Sequence, residues 1–540
     1  MTSISGNIVD IHNETIFPGT VRIENGIIAG VGRERYWADR YILPGFVDAH
    51  VHIESSMLTP VGFARLAAVH GTVAAVSDPH EIANVLGIWG IDYMIESASG
   101  VPFVFSFGAP SCVPASPFET CGAHIGPAEV EELLGRSDIG YLGEMMNYPG
   151  VISGDPEAIA KLRAAKAAGK PVDGHAPGLR GEALRRYIEA GISTDHESFE
   201  IEEAREKLSL GMKILVREGS AARNFDTLFP LIADHPGQCM LCSDDTHPDM
   251  LVRGHINLLV ERAVRGGIDL MKVLRCACLN PVEHYRLNVG LLRIGDPADM
   301  IVVDNLESFN VLMTIIRGQV VAEDGVSRIA HASPKPINIF SAAAKRPGDF
   351  RIQGTSGRVR VIEVIEGQVV TGSSTGSVPV KNGELVCDTN KDLLKISVVN
   401  RYSDGPPAVA FVRGFNLKKG AIASSIAHDS HNIVAVGTSD DMLCEAVNCV
   451  IEKRGGISLV SDDMKMVVSL PVGGIMSDDD GYSVARKYSR MNALARELGC
   501  SLDAPFMTLS FMALIVIPKV KLSDQGLFDG ERFAFTDLFL

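Results

Sequence analysis

Basic side chains are in short supply here: 50 Lys and Arg stand against 66 Asp and Glu, a formal net charge of −16 at pH 7. That shortfall disfavours nucleic-acid backbones as partners and leaves no basic patch for a membrane surface. Long apolar runs are missing too, and nothing approaches the ~18 uninterrupted apolar residues of a membrane span. The opening stretch, MTSISGNIVDIHNETIF, lacks a basic segment and a long apolar one, so no signal peptide is expected. The 10 cysteines show no framework spacing, which suits reduced thiols in a cytoplasm. Cys239 with Cys242, and Cys276 with Cys278, read as buried small residues rather than a zinc site. Internal repeats and low-complexity tracts are absent.

What remains is the profile of a soluble globular protein, 46% hydrophobic and 21% charged. At 540 residues it is too long for one ordinary core, so two or three domains are expected. Residues 1–43 read as short strands with turn signals, among them Asn25–Gly26 between VRIE and IIAGV, a hairpin signature. The same texture returns over residues 286–340, in GDPADMIVVD and VLMTIIRGQVVAEDG. These flanks read as two halves of one small β-sandwich domain, with everything between them inserted. Residues 44–285 alternate apolar strands with amphipathic stretches such as EAIAKLRAAKAAG, GEALRRYIEAG and GHINLLVERAVRGG. Eight such units match a (β/α)8 TIM barrel, and the Gly-rich phosphate turn of the competing doubly wound sheet is missing. Residues 341–540, beyond the Pro-bearing HASPKPINIF, read as a C-terminal α+β domain. Its stretch FMTLSFMALIVIP reads as a buried strand pair.

The ends of the eight strands carry the chemistry. PGFVDAHVHIESS puts His50 and His52 two apart on a strand, hence on one side of it, as two ligands of one metal would be. Strand 2 ends in Asp78, His80 and Glu81, strand 4 in Glu144, and strand 5 in His175. Strand 6 ends in Asp195, His196 and Glu197, strand 7 in Arg217 and Glu218, and strand 8 in Asp244 and Asp245. The carboxyl ends of barrel strands are where active sites are built. One buried histidine is usually a satisfied core residue; four histidines with two carboxylates on one rim read as a metal site. Nitrogen and oxygen donors without thiolate suit Mn, Fe or Zn. Arg217 and Glu218 suit a structural ion pair as well as a substrate contact.

The order HxH, carboxylate, His, His, Asp resembles the amidohydrolase superfamily. DAHVHIESS, SDPHEIANV, HAPGL, DHE and, far downstream, SIAHDSHNIVAVG together resemble the bacterial adenine deaminases, over nearly the whole chain. The resemblance implies hydrolysis of adenine to hypoxanthine and ammonia in purine salvage, by metal-activated hydroxide at a binuclear site. It implies that His50, His52 and Asp244 bind one divalent ion and His175 and His196 a second, with Glu144 as the bridge. Mn2+ or Fe2+ are favoured, with Zn2+ as the further choice; the partners are adenine and water, and a homo-oligomer such as a dimer is expected. Many amidohydrolases bridge with a carboxylated lysine, which GYLGEMMN does not offer. Mononuclear deaminases carry a glutamate three residues after the strand-5 histidine, where this chain has Gly178.

In that chemistry Asp244 is the expected general base and then acid. Glu81 and His80 are candidates for reading or protonating the ring, the alternative for Glu81 being a helix N-terminal carboxylate. Glu197 is expected to orient a metal-bound histidine. His428, Asp429, His431 and Asn432 form a polar turn that is either an ordinary surface loop or a cover over the barrel mouth. Two rival functions stand beside this one: cyclic-amide or N-acetyl hydrolysis on the same barrel, and a catalytically dead assembly protein.

Overall fold

The Asn25–Gly26 pair needs two consecutive residues with positive φ to turn a hairpin in two residues. It has them, at 52° and 78°, and joins the strands Thr15–Glu24 and Ile27–Arg33 with Glu24 opposite Ile27. The computed structural model that shows this describes residues 2–220, 222–332 and 335–540. The flanking β segments make one eight-stranded sheet. In it Tyr41–Pro44 lies parallel to Thr2–Asp10 on one side and antiparallel to Met300–Val303 on the other. The chain therefore leaves the sheet after Pro44 and re-enters it beside the strand it left.

Strand alternation gives this sheet two apolar faces. Ile8, Ile42, Met300, Val302 and Ile315 form a core of their own, while Val9, Leu43, Ile301, Val303 and Ile316 point the other way into the main core. Between the halves run eight parallel strands: Phe46–Val51, Thr72–Ser77, Val104–Ala109, Ile139–Met145, Val172–Gly174, Thr194–Asp195, Lys213–Arg217 and Cys239–Cys242. The first five pair in order, as do the last three. Ring closure comes from a Val51–Asp244 bridge and from Ser193 N–H donating to the Val172 carbonyl at 3.0 Å. Ala49, Val76, Tyr141, Leu215, Met240 and Cys242 fill the interior, so the barrel is a packed core with its chemistry at one rim. The three amphipathic stretches form helices at Pro156–Ala168, Gly181–Glu189 and Ile256–Arg265.

The C-terminal part is built on a second eight-stranded sheet. Ala421, Ala423 and Ala435 on one face receive the helix Asp440–Lys453 through Leu443, Val447 and Val450. Ile422, Val434 and Val436 on the other face join the main core with the barrel. FMTLSFMALIVIP departs from expectation. It is not a strand pair but the helix Pro505–Phe511 followed by turns, with the strand Val520–Ser523 beyond. Every residue of that helix is buried, so it has no polar face and no 3.6-residue period to read. Pro505 at its first position was the available signal. Among the described residues no helix is long and apolar enough to cross a membrane.

Candidate metal centre and its lid

His50 and His52 leave the first strand on the same side, and Asp244 follows the eighth strand with φ of 55°. Asp244 N–H donates to the His50 carbonyl at 2.9 Å, and His52 N–H donates to the Asp244 carbonyl at 3.3 Å. The seam that closes the barrel thus passes through these three residues. Their side chains converge: the Nε2 atoms of His50 and His52 lie 3.2 Å apart and at 3.5 and 3.1 Å from Asp244 Oδ1.

Glu144 comes from the fourth strand and faces two ways. Its Oε1 is 3.3 Å from His52 Nε2; its Oε2 is 2.6 Å from His175 Nδ1 and 3.0 Å from His196 Nε2. Asp78 braces it, accepting the Glu144 N–H at 2.8 Å. A Cβ at position 143 would sit 2.3 Å from the Asp78 carboxylate, so only glycine lets that carboxylate in. The imidazoles of His50 and His196 stack with centroids 4.2 Å apart. Their ligand atoms fall into overlapping groups, His50–His52–Glu144 and Glu144–His175–His196 among them, each within 4.8 Å.

The electrostatics suit cations. Burial works against a charged His50, but Asp173 and Asp244 raise its pKa to about 10; His52 is likewise held well above its ordinary value by Asp244 and Glu144 despite burial. Burial alone would raise Asp244, yet Arg217, His50 and His52 hold it well below the usual carboxylate range. The cluster favours positive charge at its centre, and its donors are all imidazole nitrogen and carboxylate oxygen, which fits divalent ions of the Mn, Fe and Zn kind.

Charged neighbours hold these groups in place. Arg217 Nη1 donates to Asp244 Oδ2 at 2.5 Å and also to Glu197, so the arginine divides its bonds between two carboxylates, and Glu218 pairs with Arg262. Glu197 lies 3.6 Å from His196 and 3.8 Å from His175. Asp195 is turned away from the cluster, bonded to Lys207 at 2.9 Å. Asp245 accepts from Ser55 at 2.5 Å.

The lid comes from the C-terminal part. His80 and Glu81 open the helix His80–Leu86, and Glu81 is gripped from above, one oxygen by His428 Nδ1 and the other by His431 Nε2. The turn SIAHDSHNIVAVG is thus buried on the barrel mouth and is not a solvated loop. Burial would raise the Glu81 pKa, but His428, His431 and His80 hold it well below the usual range. Of the two lid histidines, burial lowers both, but Glu81 and Asp245 lift His428 to about 9 while His431 stays lowered. A cavity of about 520 Å³, its open mouth included, is lined by His52, His80, Glu144 and Asp244 together with Phe511, Leu514, Val516 and Ile517. Phe511 stacks on His428 at 4.9 Å.

All six residues expected as metal ligands meet here, as do Glu81, His80, Glu197, His428, Asp429 and His431. Sequence reasoning missed Asp78 as the brace of Glu144 and left Arg217 open. A carboxylate two residues before a rim histidine, facing a glycine beside the bridging position, was the available sign of the first. Phe511 was hidden with its helix.

Comparison with known proteins matches residues 41–321 to the amidohydrolase family and residues 368–534 to the adenine deaminase C-terminal domain. A curated adenine deaminase of Salinibacter ruber is 55% identical over 100% of this chain and 99% of its own length. One from Sulfurovum is 55% identical over 99% of each chain, and one from Methanosarcina barkeri 51% identical over the full length of both.

Proposed function

Because the chain belongs to the amidohydrolase family and is an adenine deaminase by its full-length relatives, we propose that it hydrolyses adenine to hypoxanthine and ammonia in the salvage of purine bases in the cytoplasm. The observation that carries this reading is the junction of the two parts. A six-donor rim is capped, through Glu81, by a lid that lies within the adenine deaminase C-terminal match.

In this reading His50, His52 and Asp244 hold one divalent ion and His175 and His196 another, with Glu144 between them. Two ions bound there, Mn2+ or Fe2+ by preference, would bring the pKa of water to about 7. Asp244 is kept ionised by Arg217 and takes the proton of the attacking water. It passes that proton to the exocyclic nitrogen, which leaves as ammonia. His80 faces the cavity and, although burial works against its charge, is held well above its ordinary pKa by Glu81 and Asp78. It protonates the ring nitrogen beside the reacting carbon, while the ionised Glu81, fixed by the lid histidines, orients it. The apolar wall of Phe511, Leu514 and Val516 lies against the ring face and keeps bulk water out.

The test is metal-free protein reconstituted with Mn2+, Fe2+ or Zn2+ and assayed for hypoxanthine and ammonia. Adenine is expected to turn over, and dihydroorotate, hydantoin and acetylated amino sugars to stay inert. Turnover of one of these without adenine would overturn the reading.

A further inference from the structure

Asp429 lines the cavity and is only 4% exposed, yet its buried Oδ2 has no hydrogen-bond partner among the described residues. The turn around it is anchored, although His428 Nε2 is likewise buried without a partner among the described residues. His428 is bonded to Glu81, the Ser430 carbonyl accepts from Tyr402 O–H at 2.6 Å, His431 N–H donates to Ala427 at 2.7 Å, and Asn432 reaches the Thr120 carbonyl at 2.8 Å. The turn is therefore pinned on both sides of Asp429. A buried acceptor without a donor is costly, and such costs persist where a ligand removes them.

The cavity states what that ligand must bring. The cavity that Asp429 lines also carries the apolar side chains of Phe511 and Leu514, which suit an aromatic heterocycle with an N–H on its edge. Adenine has two kinds of N–H. The exocyclic amine sits on the reacting carbon and must lie at the metal cluster, which leaves the N–H of the five-membered ring. A nucleoside, substituted at that nitrogen, has none. Resting on the reading of adenine as substrate, we propose that Asp429 accepts the five-membered-ring N–H of the free base and so selects unsubstituted purines over their N9-substituted forms.

The experiment uses the full-length, Mn2+-loaded protein with adenine and 9-methyladenine, comparing wild type with Asp429→Leu and Asp429→Asn. Wild type is expected to prefer adenine by ~100-fold or more in kcat/KM, since a site built to bond an N–H rejects an analogue lacking it. Asp429→Leu is expected to raise KM for adenine about 10-fold with kcat little changed, and to shrink the preference to about 10-fold or less. Asn keeps a carbonyl acceptor and recovers part of the affinity. Metal content stays constant, and Tm rises in the Leu variant because a buried carboxylate without a partner is gone. A purely structural Asp429 predicts the opposite sign for Tm. Should the Leu variant not fold, the near-isosteric Asn variant carries the test by the same KM rise in smaller measure. Unchanged KM and preference overturn the assignment, as does a collapse of kcat at constant KM, which would make Asp429 a proton carrier. Wild-type protein that leaves adenine untouched overturns the activity itself; normal turnover with an unaffected variant overturns the Asp429 assignment alone.

Discussion

Glu144 and Asp244 each divide their two oxygens, and that division sets what their replacement should do. Glu144 sends Oε1 toward His52 and Oε2 toward His175 and His196. In Glu144→Gln one oxygen becomes an NH2, a poor metal ligand, so metal content measured by atomic absorption should fall from the two ions per chain of the proposed site to one or fewer. Two ions retained would make Glu144 an ordinary rim carboxylate. Asp244 turns Oδ1 to the two histidines and Oδ2 to Arg217. On the proposed mechanism Asp244→Asn removes a ligand charge and the proton carrier together, and adenine turnover should drop at least ~100-fold in steady-state kinetics. A folded variant above about a hundredth of the wild-type rate would refute the shuttle. These residues were legible in the sequence because a strand has period two and a barrel collects its strand ends at one rim. The partners of Glu81 were harder to foresee. The turn carrying His428 and His431 was noticed, but no local pattern says which of many surfaces a turn some 350 residues away will meet.

Helix Pro505–Phe511 and the segment bearing Val369 both line the cavity, and one buried lysine ties them together. Lys521 Nζ donates to the Val369 carbonyl at 2.5 Å and to the Phe511 carbonyl at 2.7 Å, with the lysine fully buried. Lys521→Met should loosen both cavity segments: amide exchange by mass spectrometry is expected to quicken over residues 505–517 and leave the barrel strands unchanged, with KM for adenine rising several-fold. Burial brings the Lys521 pKa down to about 7, so between that pH and the value of a free lysine near 10.4 the unfolded chain binds a proton that the native one does not. Native stability gains from this group as pH rises through that window. Chemical denaturation at pH 7 and pH 9.5 should therefore show wild type gaining on Lys521→Met as the pH is raised. Elements with one wet face were readable, as the hairpin at Asn25–Gly26 and the three amphipathic barrel helices show. The cavity helix was not, because burial on every side erases the periodicity that distinguishes helix from strand.

At the scale of the molecule, the barrel and the C-terminal part share one apolar core. Ile82 and Val85 from the barrel mouth, with Leu58 and Leu66, belong to the same buried cluster as Val472, Met476 and Phe511, and a Cβ at Gly481 would touch Leu66 at 3.1 Å. A chain ended at residue 340 would leave that surface bare, and it should partition to the insoluble fraction on expression. A soluble, metal-binding fragment would show that the two parts fold independently. The sheet that encloses the barrel has a consequence in time. The strand Tyr41–Pro44 cannot pair with Met300–Val303 until the intervening chain has emerged, a wait of roughly 10–50 s at ~5–20 residues per second on the ribosome. Throughout that interval one edge of the nascent half-sheet offers unpaired main-chain groups and the apolar Ile42 and Leu43 to any neighbouring polypeptide. Translation speed and chaperone supply then bear on how much folded enzyme a cell recovers.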